Sequence, residues 1–168
     1  QWATGLPGKA WKVVWTRLRK PRPQIGANTL EVMTDPATLP ERIYGQEGND
    51  LMGGSFGTDF IYGGTGNDRL YGEDGNDYVY GEDGDDLLVG WLGNDYLNGG
   101  AGADRLYGEA GNDELYGGDG NDRIYGGADN DTINAGAGND QIWGEAGNAS
   151  ARVLAPVGQT ITGHMMLL

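Results

Sequence analysis

The sequence has no cysteine and a single histidine among its 168 residues. The absence of cysteine excludes disulfide bonds and thiol chemistry, and one histidine is too few for a typical zinc or copper site. That residue, His164, has no nucleophile or second ligand near it in the sequence. Because HExxH and GxSxG motifs are also absent, we expect no enzymatic activity.

Long apolar runs are missing too, so no transmembrane helix is expected. Basic residues are scarce: 11 Lys and Arg stand against 25 Asp and Glu, for a net charge of −14. Residues 1–40 hold six basic and two acidic side chains (+4), and residues 41–168 hold five and 23 (−18). An acidic body repels nucleic acid and anionic membranes and attracts cations. We therefore expect no nucleic-acid partner.

Glycine, in contrast, is abundant, with 33 residues that recur at regular spacing. A nine-residue unit, Gly-Gly-x-Gly-x-Asp-x-apolar-x, repeats eleven times without insertion between residues 45 and 143. Its sixth position is always aspartate: Asp50, Asp59, Asp68, Asp77, Asp86, Asp95, Asp104, Asp113, Asp122, Asp131 and Asp140. Its eighth position is always apolar: Met52, Ile61, Leu70, Val79, Leu88, Leu97, Leu106, Leu115, Ile124, Ile133 and Ile142. Such a short fixed period indicates a solenoid.

Each unit divides into a six-residue turn rich in Gly, Asn and Asp, and a three-residue strand such as Arg69–Tyr71. The middle side chain of the strand points inward and its neighbours outward. Successive strands are predicted to alternate between two parallel sheets, so that each unit stacks on the unit after next. The predicted fold class is therefore all-β, a parallel β-solenoid in which Asp50 stacks near Asp68.

The repeated aspartates predict a metal requirement. Burial of one aliphatic side chain does not offset the entropy of ordering nine residues, and the stacked carboxylates repel one another. Carboxylates and the carbonyls of glycine-rich turns are hard oxygen ligands in a flexible cage, which suits Ca²⁺ better than Mg²⁺. We predict that all eleven sixth-position aspartates are calcium ligands. Pairing each with the aspartate two units away gives nine complete sites (11 − 2).

These units resemble the RTX, or haemolysin-type, calcium-binding nonapeptide repeat. The resemblance covers residues 45–143, and the clearest copies begin at Gly63, Gly72 and Gly117. It implies a right-handed parallel β-roll, in which Ca²⁺ lies between turns and is held by paired aspartates and turn carbonyls. It also implies a secreted, extracellular protein that a type I system exports unfolded and that folds where calcium is plentiful.

The chain is divided into three parts on this interpretation. Residues 1–44 form a non-repeat N-terminal cap with short strands at 11–19 and 29–33, although a basic patch that binds a polyanion is the alternative. Ile43 belongs to the apolar column of an incomplete unit. Residues 144–168 form a degenerate last repeat, with Ala149 and Ala151 at the aspartate and apolar positions, followed by a cap or tail.

Outward-facing tyrosines at the ninth position are expected to stack into ladders, with a sugar- or partner-binding face as the alternative. The favoured function is a secreted calcium-binding module with a structural or export role. A second hypothesis is an extracellular surface, matrix or filament subunit that self-associates end to end. A third is a fragment of a larger toxin, adhesin or exoenzyme, because the chain begins with Gln1 rather than methionine.

Overall fold

The computed structural model describes residues 40–144 and the backbone of residues 152–153. These residues form thirteen strands and no helix: β1 (Arg42–Glu47), β2 (Leu51–Gly53), β3 (Phe60–Thr65), β4 (Arg69–Asp74), β5 (Tyr78–Asp83), β6 (Leu87–Leu92), β7 (Tyr96–Ala101), β8 (Arg105–Ala110), β9 (Glu114–Asp119), β10 (Arg123–Ala128), β11 (Thr132–Ala137), β12 (Gln141–Trp143) and β13 (Arg152–Val153). The described part of the chain therefore has no helical segment that could span a membrane.

Successive strands alternate between two parallel sheets. The odd-numbered strands form a seven-stranded sheet in the order β1-β3-β5-β7-β9-β11-β13, and the even-numbered strands form a six-stranded sheet. Paired residues from β1 to β12 occupy the same position in units two apart, as with Ile61 and Val79 or Leu70 and Leu88. The predicted β-solenoid, with units stacked two apart, is confirmed. One coil consists of two strands and two turns, and six coils span β1 to β12.

Most strands are twice as long as the sequence indicated. The strand β4 continues past Tyr71 through the first three residues of the next unit, because Glu73 and Asp74 pair with Trp91 and Leu92. Between six-residue strands the connecting turns contain only the fourth to sixth positions, and the prediction of three-residue strands was wrong except for β2 and β12. The glycine-rich residues after the apolar strand retain enough regular backbone to pair with the neighbouring coil, which supplies partners for their N–H and C=O groups.

A column of single aliphatic side chains fills the space between the sheets. All eleven eighth-position residues are at most 3% exposed, and Ile43 extends the column by one residue at 4%. Because only one side chain per unit reaches the interior, the core is long and narrow. The predicted apolar column is confirmed, including the place of Ile43.

The last strand departs from the regular spacing. In β13, Arg152 pairs with Thr132 and Val153 pairs with Ile133, so these partners lie further apart along the chain than two units. The register therefore places Val153 beside Ile133, where the sequence analysis expected Ala151.

Several expectations lie outside the described residues. They are the cap at residues 1–39 with its two strands, the tail that contains His164, and Ala149 as the replacement for aspartate. For these segments the interpretations of the sequence analysis stay predictions.

Candidate metal centre

The turns depend on backbone conformations of positive φ at two positions of each unit. The fourth position is glycine in ten units, as at Gly66 with φ +130°, and Asp129 adopts φ +79° in the remaining one. Aspartate tolerates this left-handed region better than most residues. At the second position, non-glycine residues also have positive φ, as Glu73 does at +76°. Both positions are thus in the left-handed region in every unit, and the turn that begins at the fourth position ends at the buried sixth-position aspartate.

All eleven sixth-position aspartates are buried, with exposures between 0 and 3%. Each coil aligns its aspartates with those of the next through a side-chain hydrogen bond. The N–H of Asp50 donates to Oδ1 of Asp68 at 2.7 Å, and the N–H of Asp77 donates to Oδ1 of Asp95 at 2.8 Å. The predicted stacking of aspartates two units apart is confirmed. These hydrogen bonds use only Oδ1 of each carboxylate and leave Oδ2 for another role.

The second carboxylate oxygen is buried without a hydrogen-bond partner at nine positions among the described residues. These are Asp59, Asp68, Asp77, Asp86, Asp95, Asp104, Asp113, Asp122 and Asp140. A buried charged oxygen without a partner carries a large desolvation penalty. A column of such atoms fits a chain whose compact state includes bound cations.

The first-position glycine of each unit keeps the space in front of this oxygen open. A Cβ atom added at Gly72 would lie 2.6 Å from Oδ2 of Asp77 and 2.8 Å from the carbonyl oxygen of Gly90 in the next coil. The φ of Gly72 is not in the left-handed region, so glycine is needed here for room and not for conformation. The corresponding pair of oxygens faces Gly45, Gly54, Gly63, Gly72, Gly81, Gly90, Gly99, Gly108, Gly117 and Gly126.

A family model of the RTX calcium-binding nonapeptide repeat, built on four copies, matches residues 42–61, 53–88, 62–97, 90–124 and 116–149. The matches together span residues 42–149, well over half of the chain. The chain belongs to this RTX repeat family. The search of curated protein sequences gives no match.

The donor chemistry of these RTX repeats fits Ca²⁺. Within residues 40–144, no three Asp, Glu or His side chains gather as a metal-binding group. A cation between coils would therefore combine aspartate oxygens with backbone carbonyls such as that of Gly90. This all-oxygen set is the one that Ca²⁺ prefers. Bound Ca²⁺ would supply the positive charge that the buried carboxylates lack.

Burial also raises the affinity of the RTX aspartates for protons. Burial raises the pKa of Asp95 to about 7; the hydrogen bond from the Asp77 N–H opposes this effect, and the carboxylates of Asp113 and Asp77 add to it. Burial likewise raises the pKa to about 7 in Asp59, Asp104 and Asp113. Without metal, these groups compensate for burial by binding protons.

One unit of the array lacks the open space at its first position. Ala135 replaces glycine there and is fully buried, so its methyl group occupies the direction that is empty at Gly72. Its own carbonyl oxygen still faces Gly117. We therefore predict a weaker calcium site at this end of the array, because the methyl group of Ala135 takes up the space that glycine leaves open in the other units.

A second column of side chains, at the fifth position, was not predicted from the sequence. The N–H of Asn67 donates to Oδ1 of Asn49, and the N–H of Asn112 donates to Oδ1 of Asn94, both at 2.8 Å. These amides bond the following coil, whereas the aspartate oxygens accept from the preceding one. The signal was present in the sequence, where asparagine fills this column at Asn49, Asn67, Asn76, Asn94, Asn112, Asn121, Asn130 and Asn139.

The ninth-position aromatics stack in part as predicted, although among the described residues Tyr71 has no stacked ring and Tyr116 makes a tilted contact with Tyr96. Tyr62 lies 4.9 Å from Tyr44 and 5.0 Å from Tyr80, centroid to centroid, with interplanar angles of 7° and 4°. On the other sheet, Tyr125 stacks on Tyr107 at 4.6 Å and on Trp143 at 4.4 Å. Stacked rings cover each other's faces and leave only edges to solvent. The ladders therefore favour a structural role over sugar binding, which needs an open ring face.

Proposed function

We propose that this chain is an extracellular calcium-binding β-roll whose folding is coupled to the binding of about nine Ca²⁺ ions between adjacent coils. All eleven sixth-position aspartates serve as ligands in this proposal. The observation that carries it is the series of buried Oδ2 atoms without hydrogen-bond partners, each beside an open space at a first-position glycine.

Coupling to folding follows from the charge of the buried columns. Residues 41–168 carry a net charge of −18, and the repeated aspartates lie stacked in the interior. Metal-free chains must protonate or separate these carboxylates, and Ca²⁺ removes the need for either. Since the site forms only when two coils stack, metal-binding free energy becomes folding free energy.

A calcium titration followed by far-UV circular dichroism tests the proposal. We expect little β-structure in chelator and a steep, cooperative gain at about 10⁻⁴–10⁻³ M Ca²⁺, the affinity range of extracellular modules. Native mass spectrometry of the calcium-saturated chain should find about nine bound ions (11 − 2). Equal β-content with and without calcium would contradict coupled folding.

The biological role that we propose is structural or export-related and does not include catalysis. Calcium concentrations outside the cell are high enough to occupy sites of this affinity, and those inside are not. A chain of this kind would stay unfolded during export by a type I system and become compact afterwards. Expression with a type I system, with secretion measured in the presence and absence of the repeats, tests this part.

Self-association is the second candidate function. Within the described residues, the outer strands β1 and β2 each pair on one side only. Parallel edges of this kind accept a further strand, so end-to-end assembly would extend both sheets. Sedimentation velocity with saturating calcium separates the two candidates, because a discrete monomer at high concentration rules out assembly. A larger toxin, adhesin or exoenzyme as the parent chain stays a third proposal.

A further inference from the structure

The six-stranded sheet has a groove on its outer surface near the first coil. We call it the β2–β4–β6 groove. It has a volume of about 490 Å³ and is lined by Leu51, Met52, Gly53, Tyr71, Glu73, Asp74 and Trp91. The groove plays no part in the calcium columns, whose aspartates lie in the interior of the solenoid.

The groove arises from a gap in the aromatic ladder. At the ninth position of this sheet, Tyr71 has Gly53 on one side and Val89 on the other. No aromatic ring stacks on Tyr71 within the described residues, in contrast to Tyr107 and Tyr125. The faces of the Tyr71 ring are therefore not covered by another ring. The place of a Gly53 side chain is bordered by the carboxylate of Glu73, whose Oε1 lies 3.0 Å from where a Cβ of Gly53 would be. A flat cation stacked on Tyr71 would therefore meet a carboxylate.

Trp91 forms one wall of the groove and has an unusual backbone conformation. Trp91 has φ +83° and is 51% exposed, although a bulky side chain rarely adopts this backbone region. It pairs with Glu73 on one side and Glu109 on the other. An exposed indole beside carboxylates is a surface for cationic and aromatic side chains.

The exposed apolar surface of the described residues is concentrated at this end of the molecule. All large hydrophobic side chains that are strongly exposed in the described part of the chain lie between residues 44 and 92: Tyr44, Leu51, Phe56, Tyr78, Trp91 and Leu92. Tyr44 and Tyr78 lie on the seven-stranded sheet, whereas Leu51, Trp91 and Leu92 lie on the six-stranded sheet and Phe56 pairs with Asp74 of β4. The latter four form an apolar patch on the same side of the solenoid as the groove, and such a patch marks an interaction surface. It lies on the coils nearest to the point where residues 1–39 enter the solenoid.

We propose that the β2–β4–β6 groove is the docking site for this chain's own N-terminal segment, residues 1–39. The segment carries a net charge of +4 and three tryptophans, Trp2, Trp11 and Trp15. Its indoles match the Tyr71 ring, and its basic side chains match Glu73 and Asp74. The segment joins β1, which belongs to the same coil as the groove strand β2, so even a short part of the segment can reach the groove.

Cross-linking tests the proposal with an internal control. The three lysines of the chain, Lys9, Lys12 and Lys20, all belong to the segment. A zero-length carbodiimide reagent applied to the calcium-saturated full-length chain should join them to Glu73 and Asp74. The tetrapeptide Gly-Glu-Asp-Gly of residues 72–75 recurs at residues 81–84. The second copy is the internal control, because its acids, Glu82 and Asp83, lie on the opposite sheet with the same backbone conformation.

We expect about tenfold more cross-links to residues 73–74 than to residues 82–83, which corresponds to roughly 1.4 kcal/mol of preference. Trp91→Gly should abolish the difference, and Gln46→Gly, which relieves the same backbone strain on the other sheet without removing a carboxylate, should preserve it. Circular dichroism with calcium checks that both variants fold. Equal yields at the two tetrapeptides, or the same loss in both variants, would disprove docking in the groove.

Concentration dependence identifies the occupant. Mixed isotope-labelled and unlabelled chains should give cross-links within one chain only, at a yield independent of protein concentration. Cross-links between labelled and unlabelled chains would show that a second copy's segment fills the groove and would overturn the proposal. The experiment is independent of the proposed extracellular role, because it requires only the calcium-saturated fold.

Discussion

At the scale of the residue, the sixth-position aspartate combines two tasks in one carboxylate. In Asp95, Oδ1 accepts a hydrogen bond from the Asp77 N–H, and Oδ2 faces the open space at Gly90. The first oxygen fixes the register between coils, and the second is available to a cation. A side chain with only one acceptor could not do both, which gives aspartate a physical advantage over serine or threonine in this column.

The raised pKa values predict how the metal-free chain responds to pH. Burial raises the pKa of Asp59, Asp104 and Asp113 to about 7, above the unfolded value of about 3.9. The folded state thus binds more protons between these values, and its stability falls as pH rises through about 7. In chelator, far-UV circular dichroism should show more β-structure at about pH 5 than at about pH 8.

Calcium should reverse the direction of this pH dependence. Because protons and Ca²⁺ compete for the same carboxylates, the calcium midpoint should move to higher concentration as pH falls from about 8 to about 5. A metal-free chain whose β-content is unchanged across this range would show that the buried aspartates do not control compaction.

The first-position glycines predict the effect of a single methyl group. In Gly90→Ala, the new Cβ would lie 2.9 Å from the carbonyl oxygen of Gly108 and would contact Oδ2 of Asp95. We expect the calcium midpoint to rise by about tenfold, equivalent to roughly 1.4 kcal/mol, with about one fewer bound ion. Calcium titration and native mass spectrometry measure the two effects.

Two further variants separate lost space from lost charge. Asp95→Ala removes the ligand itself and should reduce the cooperativity more than Asp50→Ala at the end of the array, because Asp95 stacks with both Asp77 and Asp113. Ala137→Gly, at an exposed position of the array, should leave the midpoint unchanged. If Gly90→Ala behaves like Ala137→Gly, the open space is not part of a calcium site.

At the scale of the element, the strands depend on ladders as well as on buried aliphatics. Tyr62 stacks on two neighbours, Tyr44 and Tyr80, whereas Tyr71 has no stacked ring among the described residues. Stacked pairs contribute about 0.5–1.5 kcal/mol beyond area burial. Tyr62→Ala should therefore lower the unfolding free energy of the calcium-saturated chain by about 1–3 kcal/mol, and Tyr71→Ala by less. Urea unfolding in excess calcium measures both, and equal losses would argue against the ladder.

Much of this architecture could be predicted from sequence, because two columns of the nine-residue unit are invariant. The buried places of Leu70 and Ile124 and the stacking of every second unit followed from the period of the repeat. The length of β4 did not, since glycine and acidic residues after Tyr71 signal a turn, and only the neighbouring coil supplies strand partners. Likewise, no pattern in residues 144–153 indicates that Val153 takes the place next to Ile133.

The candidate site was predicted only in part for a similar reason. The aspartates are visible in the sequence because they repeat without exception. The space at Gly90 depends on the carbonyl oxygen of Gly108, two units further along the chain, and main-chain atoms leave no signature in the residue types. The β2–β4–β6 groove depends on which residues fall next to one another across coils, and it becomes apparent only when Gly53, Tyr71 and Val89 are aligned.

At the scale of the whole molecule, stacking two units apart makes the outcome of deletions depend on their length. Removal of residues 90–107, which are two units, leaves every downstream strand on its original sheet. We expect calcium-dependent folding to persist with two fewer ions and a solenoid shorter by about 4.8 Å, the spacing of neighbouring strands. Native mass spectrometry and small-angle scattering measure these changes.

Removal of one unit, residues 90–98, should instead transfer the downstream strands to the opposite sheets. Tyr107 would then follow Tyr80 in one continuous aromatic ladder, and near-UV circular dichroism should report stronger tyrosine coupling. A variant that loses calcium-dependent folding after the two-unit deletion would contradict the independence of the coils. An unchanged aromatic signal after the one-unit deletion would contradict the exchange of sheets.

The strict register also has a mechanical consequence. Each coil is held only by the coil before and the coil after it, through the same backbone ladder and the same aspartate and asparagine bonds. Under a pulling force applied to the two ends, no single interface between coils in the middle of the array would be weaker than the others. The chain would unfold from an end in equal steps of one coil. When calcium binds again at the released sites, the chain would refold and shorten by the same steps.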